Sequence, residues 1–517
     1  MPNLLDHAVA SLPRAYAGPG GACAVLQDGQ VLVRHAWGFA NAERRIPFTP
    51  RTLFRMCSIT KQFTCATLLD LVPDPSALDT AIAARLPHLQ QPAPSALNLC
   101  HNQSGLRDYW AVAMLLGAPA ESPFGDTEAT RLTAATLTLQ FTPGTRYSYV
   151  NQNFRILSDI LQDRTGHTFA DLLRTRVFAS AGMETAFLAA DTRAMPDGAE
   201  GYEGTQATGF RAAENRIVWT GDAGLGASLD DMIAWEQHID ATRDDPASLY
   251  RRLSTPTHFA DGAAAPYGFG LGRRTVHGRP ITGHGGALRG WRSHRLHAAD
   301  GRISVVVLFN HMSDAQAAAL ALLAATLGKS TPPAPAPVQP PSWLGAYIEP
   351  ETGLAVRIDL ANGQPRLRYG HGPERLDLQP DGTAGTDGTR LVPTHEGLRM
   401  DRPQENQSTL LRPIPGAPSP ETENAIEGRY RCAELDADLT IAVTNGTPYA
   451  AFSGPLGQSR MELLDPIGPD TWALPCPRAL DHTPPGDWTL AITRTNRQVS
   501  GLQLGCWLAR RLRYDRL

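Results

Sequence analysis

Ser58-Ile-Thr-Lys61 sets a hydroxyl and an amine three residues apart at the start of a helical stretch that runs through Leu71. Positions three apart on a helix face the same way, one turn above the other, so the Lys61 amine comes within reach of the Ser58 hydroxyl. A serine at a helix start also lies among backbone N–H groups that lack intrahelical partners, at the positive end of the dipole. Such amides stabilise an oxyanion, so the pair has the makings of a nucleophile and its base. Alone the pattern decides nothing, because an N-cap serine with a surface lysine reads the same way. Composition adds to it. Of 47 basic side chains only Lys61 and Lys329 are lysines. Arginine keeps its proton inside a protein, whereas a lysine loses it when its surroundings lower its pKa. Lys61 is therefore marked as a place where a titratable amine is needed, while Lys329 closes an Ala-rich helix. Cys57, beside the serine, reads as a small buried hydrophobe and not as a thiol nucleophile.

Two further segments carry chemistry. Phe141-Thr-Pro143-Gly144 leads into Tyr149-Val-Asn151, a phenol and an amide on a loop ahead of a helix at Phe154–Asp163. A phenol near an ammonium can take the serine proton, and Asn151 can donate to a substrate carbonyl. Gly283-His284-Gly285-Gly286-Ala287 is a glycine run in a strand, where a ligand's backbone can approach closely. His284 offers a donor beside it, and the Ala287 amide a second oxyanion contact. Each segment taken singly also reads as an ordinary turn or strand edge.

The elements that must position these groups form a mixed α/β segment over residues 1–330. Ala22–Gln27 and Gln30–Gly38 are strands joined by Asp28-Gly29, Ile303–Phe309 is a third, and Leu229–Ile239 and Ala317–Leu327 are helix-like. Strands at both ends with helices between predict one antiparallel sheet assembled from both termini. A proline-rich spacer follows at 331–341 and a second at 413–422, delimiting pieces at 342–412 and 423–517. These pieces are related. Gly345-Ala-Tyr347 returns as Gly428-Arg-Tyr430 and the turn Asn362-Gly363 as Asn445-Gly446, both at an offset of 83, since 430 − 347 and 445 − 362 agree. Neither piece has a helical period, which predicts two small all-β antiparallel barrel domains.

The totals set outer limits. Apolar residues are 42% and charged residues 19%, with 47 basic against 51 acidic side chains, a net charge of -4. No basic run invites nucleic acid or a membrane surface, and no apolar stretch is long enough to span a bilayer. The N-terminal residues lack the marks of a signal peptide, and the seven cysteines are odd in number and scattered. Together these predict a cytoplasmic protein with no metal knuckle.

In order and spacing, Ser58/Lys61, Tyr149/Asn151 and His284/Gly285/Gly286 resemble the signature of the penicillin-recognising serine hydrolases. That group includes class C β-lactamases, D-alanyl-D-alanine peptidases and esterases. His101-Asn-Gln-Ser104-Gly105-Leu106 matches a supporting family stretch. Further segments, among them Asn102–Trp110, Gly221–Gly224, Ala265–Leu271, Gly285–Trp291, Glu434–Leu439 and Gly505–Arg510, are similar to the bacterial D-stereospecific aminopeptidases within that group. The resemblance implies a β-lactamase-like catalytic domain, two barrel domains, a homodimer, no cofactor and a small peptide or amide substrate. Inhibition by β-lactams follows from the same kinship. It also implies that a loop of the last barrel, here residues 477–487, sets specificity. Asp481 on that loop would pair with the substrate's α-ammonium, with Ser58, Lys61 and Tyr149 catalytic, and His284, Asn151, Gly285, Gly286 and Ala287 holding substrate. An esterase, a β-lactamase or a carboxypeptidase on the same scaffold remains the alternative. A sensor acylated without turnover is a further one.

Overall fold

The structure is a computed structural model that describes residues 4–329, 339–370, 372–386, 388–416, 424–476 and 486–517. Its first layer is an eight-stranded antiparallel sheet. The strands run in the order Tyr267–Gly268, Leu271–Val276, Arg279–Leu288, Trp291–Ala298, Ile303–Phe309, Gly20–Gln27, Gln30–Asn41 and Ile46–Pro47. The pairing of Ile303–Phe309 with Gly20–Gln27 is what joins the two ends of the segment, as the strand pattern predicts. Asp28 and Gly29 both take positive φ in the first hairpin, the geometry an Asp-Gly turn favours.

Ile303–Phe309 is buried throughout, and apolar but for Ser304, because both faces of the sheet are covered. Val305, Val307 and Phe309 pack on one side against the helices Leu4–Ala15 and Ala315–Thr326. Val306 and Leu308 point the other way, into the larger core that contains Phe63, Trp235 and Phe154. The helix Thr60–Leu71 runs through that core, with every residue from Thr60 to Leu69 buried. A helix enclosed on all sides shows little amphipathic pattern, and this one carries threonines and Lys61 inward with the apolar residues.

C-terminal to residue 339 the described residues are almost entirely strands: two five-stranded antiparallel sheets and one of ten strands. The repeat is real at the level of side chains. Gly345–Glu349 pairs with Leu354–Ala361 as Gly428–Cys432 pairs with Ala437–Thr444. The Tyr347 hydroxyl donates to the Trp343 carbonyl at 2.8 Å, and Tyr430 to that of Ile426 at 2.6 Å, each four residues back. The buried residues of both copies form one apolar cluster. It also takes in Ala111, Val112 and Leu115 from the short helix Tyr109–Leu115 of the first region, and Leu116, which caps it.

Candidate active site

Ser58 does not open the α-helix itself. It sits in the middle of a 3-10 turn, Cys57–Ile59, directly before the helix Thr60–Leu71. Cys57 has φ +51°, a left-handed conformation unusual for a residue with a Cβ. Thr60 holds it there, donating through Oγ1 to the Cys57 carbonyl at 2.5 Å and accepting from the Leu225 N–H at 2.9 Å. The Cys57 thiol is buried and donates to the Arg55 carbonyl at 3.2 Å.

Lys61 is fully buried, and its Nζ has three partners: Ser58 Oγ at 3.0 Å, Asn151 Oδ1 at 2.9 Å and the Asp222 carbonyl at 2.7 Å. Two of these can only accept, so two N–H bonds are committed to them. The remaining tetrahedral position faces Ser58, filled by a third N–H in the ammonium and by the lone pair in the free amine. Burial pushes the amine down to about 8, against the pull of Asp222 and Asp108. Tyr149 lies with its ring centroid 4.8 Å from Nζ and its phenol on the Ser58 hydroxyl. Desolvation drives that phenol well above its ordinary range, so it is a proton donor in the resting state.

The glycine run occupies Arg279–Leu288. Its two hairpins, turning at His277-Gly278 and Arg289-Gly290, agree on the register. Even-numbered residues of the strand bond toward Trp291–Ala298, while Gly285 and Ala287 point their amides off the open edge beyond Gly283. That edge faces Ser58. A Cβ on Gly286 would lie 2.2 Å from the Met56 carbonyl oxygen and from Ser293 Oγ, so glycine is what lets the strand approach the serine turn. A cleft of about 450 Å³ is lined by Ser58, Tyr149, His284, Gly285, Gly286 and Ala287, and one of about 260 Å³ shares Tyr149, His284 and Gly285 with it.

The structure thus brings Ser58, Lys61, Tyr149, Asn151, His284, Gly285, Gly286 and Ala287 to one place. Two of them are engaged differently from the sequence expectation. His284 Nδ1 lies 2.5 Å from the Gly285 carbonyl, which can only accept, so the proton is on Nδ1 and Nε2 accepts from the Tyr267 hydroxyl at 3.1 Å. Desolvation and the neighbouring Lys61 hold the ring down to about 3. The neutral imidazole therefore has no N–H left for a substrate oxygen, and its one lone pair is taken by Tyr267. Asn151 gives one N–H to Asp108 at 2.9 Å and its oxygen to Lys61, so its amide oxygen is already engaged by the lysine. Asp481 lies outside the described residues; of its loop, Asp487 is described and pairs with Arg357.

Tyr267, Asp108 and Asn102 carry no signal that separates them from turn residues in a single sequence. Asn102 fastens the Tyr149 loop, its Oδ1 accepting from the Val150 N–H at 3.2 Å and from Asn153 Nδ2 at 3.1 Å. Among the described residues no group of three His, Cys, Asp or Glu side chains is placed to hold a metal ion.

A helix-covered antiparallel sheet with a Ser-x-x-Lys pair at its edge, followed by an all-β region, defines a β-lactamase-type protein. The β-lactamase family profile matches residues 5–328, and the profile for D-aminopeptidase domain B matches 337–515. A D-aminopeptidase of Gluconobacter oxydans is 59% identical over 99% of this chain and 98% of its own length. One from Cereibacter sphaeroides is 48% identical over 100% of this chain and 99% of its own. The octameric penicillin-binding protein homologue from Pyrococcus abyssi shares the fold, with a TM-score of 0.53 over 99% of this chain and 98% of its own at 17% identity. The chain belongs to the D-aminopeptidase family.

Proposed function

We propose that this protein is a serine D-aminopeptidase that releases an N-terminal D-residue through an acyl-enzyme. The observation that carries the reading is the geometry at Lys61, whose only uncommitted position is aimed at Ser58 Oγ. With the amine neutral, its lone pair takes the Ser58 proton as Oγ attacks the carbonyl carbon. The N–H groups of Ser58 and Ala287 receive the oxyanion. The C–N bond breaks as Tyr149 passes its proton to the leaving nitrogen and is reprotonated from Lys61. Water then adds to the ester carbonyl, giving its proton to the same amine, and Ser58 Oγ leaves as it takes that proton back from Lys61. Asp481 is the proposed partner of the substrate's ammonium, and His284 lines the cleft. The cleft of about 450 Å³ beside Ser58 has room for a small residue.

Ser58→Ala should lower the turnover of D-alanine p-nitroanilide by about a thousandfold or more, in line with loss of a nucleophile that acts with its base. Near-normal release of p-nitroaniline by that variant would rule Ser58 out. Comparison of D- and L-alanine p-nitroanilides, each with and without an acetylated amine, tests stereochemistry and the need for the free ammonium. Equal rates on all four would leave a general esterase or amidase.

A further inference from the structure

We propose that Asp108 is a positioning residue for this reaction: by holding the Asn151 amide in one orientation it leaves Ser58 as the only direction open to the Lys61 lone pair. The inference rests on the reading of Ser58 and Lys61 given above. Asp108 is completely buried and accepts three N–H bonds, from Asn151 N at 2.6 Å, Asn151 Nδ2 at 2.9 Å and Trp110 N at 3.0 Å. An ionised carboxylate only accepts, so it tolerates the amide nitrogen of Asn151 and rejects its oxygen. Were Asn151 turned over, its NH₂ would face Lys61, and the amine could spend its lone pair there instead of on Ser58. The Asn151 oxygen is thus made an obligatory acceptor by a carboxylate that never touches the lysine.

The loop that carries Asp108 is fixed from both sides. Gln152 brackets it, accepting from the Tyr109 N–H at 2.9 Å and donating to the Arg107 carbonyl at 2.5 Å. From the C-terminal region, the turn between Gln498–Cys506 and Ala509–Arg516 reaches in. The Asp108 N–H donates to the Leu508 carbonyl at 3.0 Å and Arg107 Nε to that of Arg510 at 2.9 Å. The titratable groups that face the carboxylate are Lys61, Tyr109, Tyr149 and, from that turn, Cys506. Burial raises Asp108 to about 6, so it is ionised at neutral pH and becomes protonated below that.

Asp108→Asn is the test, since no orientation of an amide can accept all three N–H bonds. With D-alanine p-nitroanilide, kcat should fall about tenfold to a hundredfold while KM stays within about threefold, because the defect is in aiming the base and not in binding. Removing the negative charge should also move the pH limb of Lys61 to lower pH, a shift that loosened packing alone would not produce. A variant with wild-type kcat overturns the proposal, as does one whose loss of kcat comes with an unmoved limb. If the variant does not fold, the wild-type profile decides: the decline in log kcat should steepen below about 6 as Asp108 takes a proton. A single unit slope through that range overturns it. Ser58→Ala, run in parallel, separates the two claims. Near-normal turnover there sinks the nucleophile assignment, whereas a strongly impaired Ser58→Ala beside a normal Asp108→Asn sinks this inference alone.

Discussion

Among the described residues two cations, Arg295 and Lys61, are completely buried, and they behave in opposite ways. Arg295, at the centre of the large sheet, meets Glu236 through two parallel hydrogen bonds of 2.7 and 2.6 Å, and neither side chain reaches solvent. Direct contact with a carboxylate holds its charge more firmly than usual. Lys61 is equally buried and has two carboxylates nearby, Asp108 and Asp222, but touches neither. Asn151 stands between it and the first, and it meets the second only at the main-chain carbonyl. The lysine is consequently lowered to about 8. Burial alone therefore does not make a titrating site. What matters is whether the counter-charge touches the cation or is held one group away.

The sharpest way to break this comparison is to make the two cations alike. Lys61→Arg keeps the charge and removes the proton equilibrium, so kcat should fall by about a thousandfold or more, the range of a lost general base. Turnover close to wild type would show that Lys61 acts only as a charge. Next, Glu236→Gln strips Arg295 of its partner and leaves a buried charge uncompensated. Chemical denaturation should show a loss of about 3 kcal/mol or more, with kcat of the folded fraction nearly unchanged. A large fall in kcat without a change in midpoint would place Arg295 in the catalytic machinery instead. The smallest effect is a matter of pH. Because burial lowers the folded lysine to about 8 and the proposed mechanism uses the free amine, kcat at saturating substrate should climb with pH and level off above about 8. A flat profile between about pH 6 and about pH 9 would mean that no such amine is involved.

Much of this arrangement is legible in the chain. The Ser58 to Lys61 spacing, the scarcity of lysine, the glycine run and the Asp28-Gly29 turn are local features, and local geometry follows from them. The 83-residue offset works for the same reason, and it extends in three dimensions to the paired tyrosine hydrogen bonds. The rest depends on contacts between distant positions. Asp108 and Asn151 are 43 residues apart, and no periodicity links them. Asn102–Trp110 can be read as a segment shared with relatives, but not as the seat of a carboxylate behind the lysine. The Nε2 lone pair of His284 is taken by the phenol of Tyr267, 17 residues away on another strand. The 3-10 turn at Ser58 is equally hidden, since helix-forming residues continue without a break from Ser58 to Leu71 and only Thr60 tightens their beginning.

The turn from Leu508 to Arg510 also has a consequence for anyone who would simplify the molecule. An enzyme trimmed to its first 330 residues would lose the carbonyls that secure Arg107 and Asp108. It would also leave Ala111, Val112, Leu115 and Leu116 facing water. The region before residue 330 is not a self-sufficient unit with optional attachments, because part of its inner wall is supplied by the turn between Gln498–Cys506 and Ala509–Arg516.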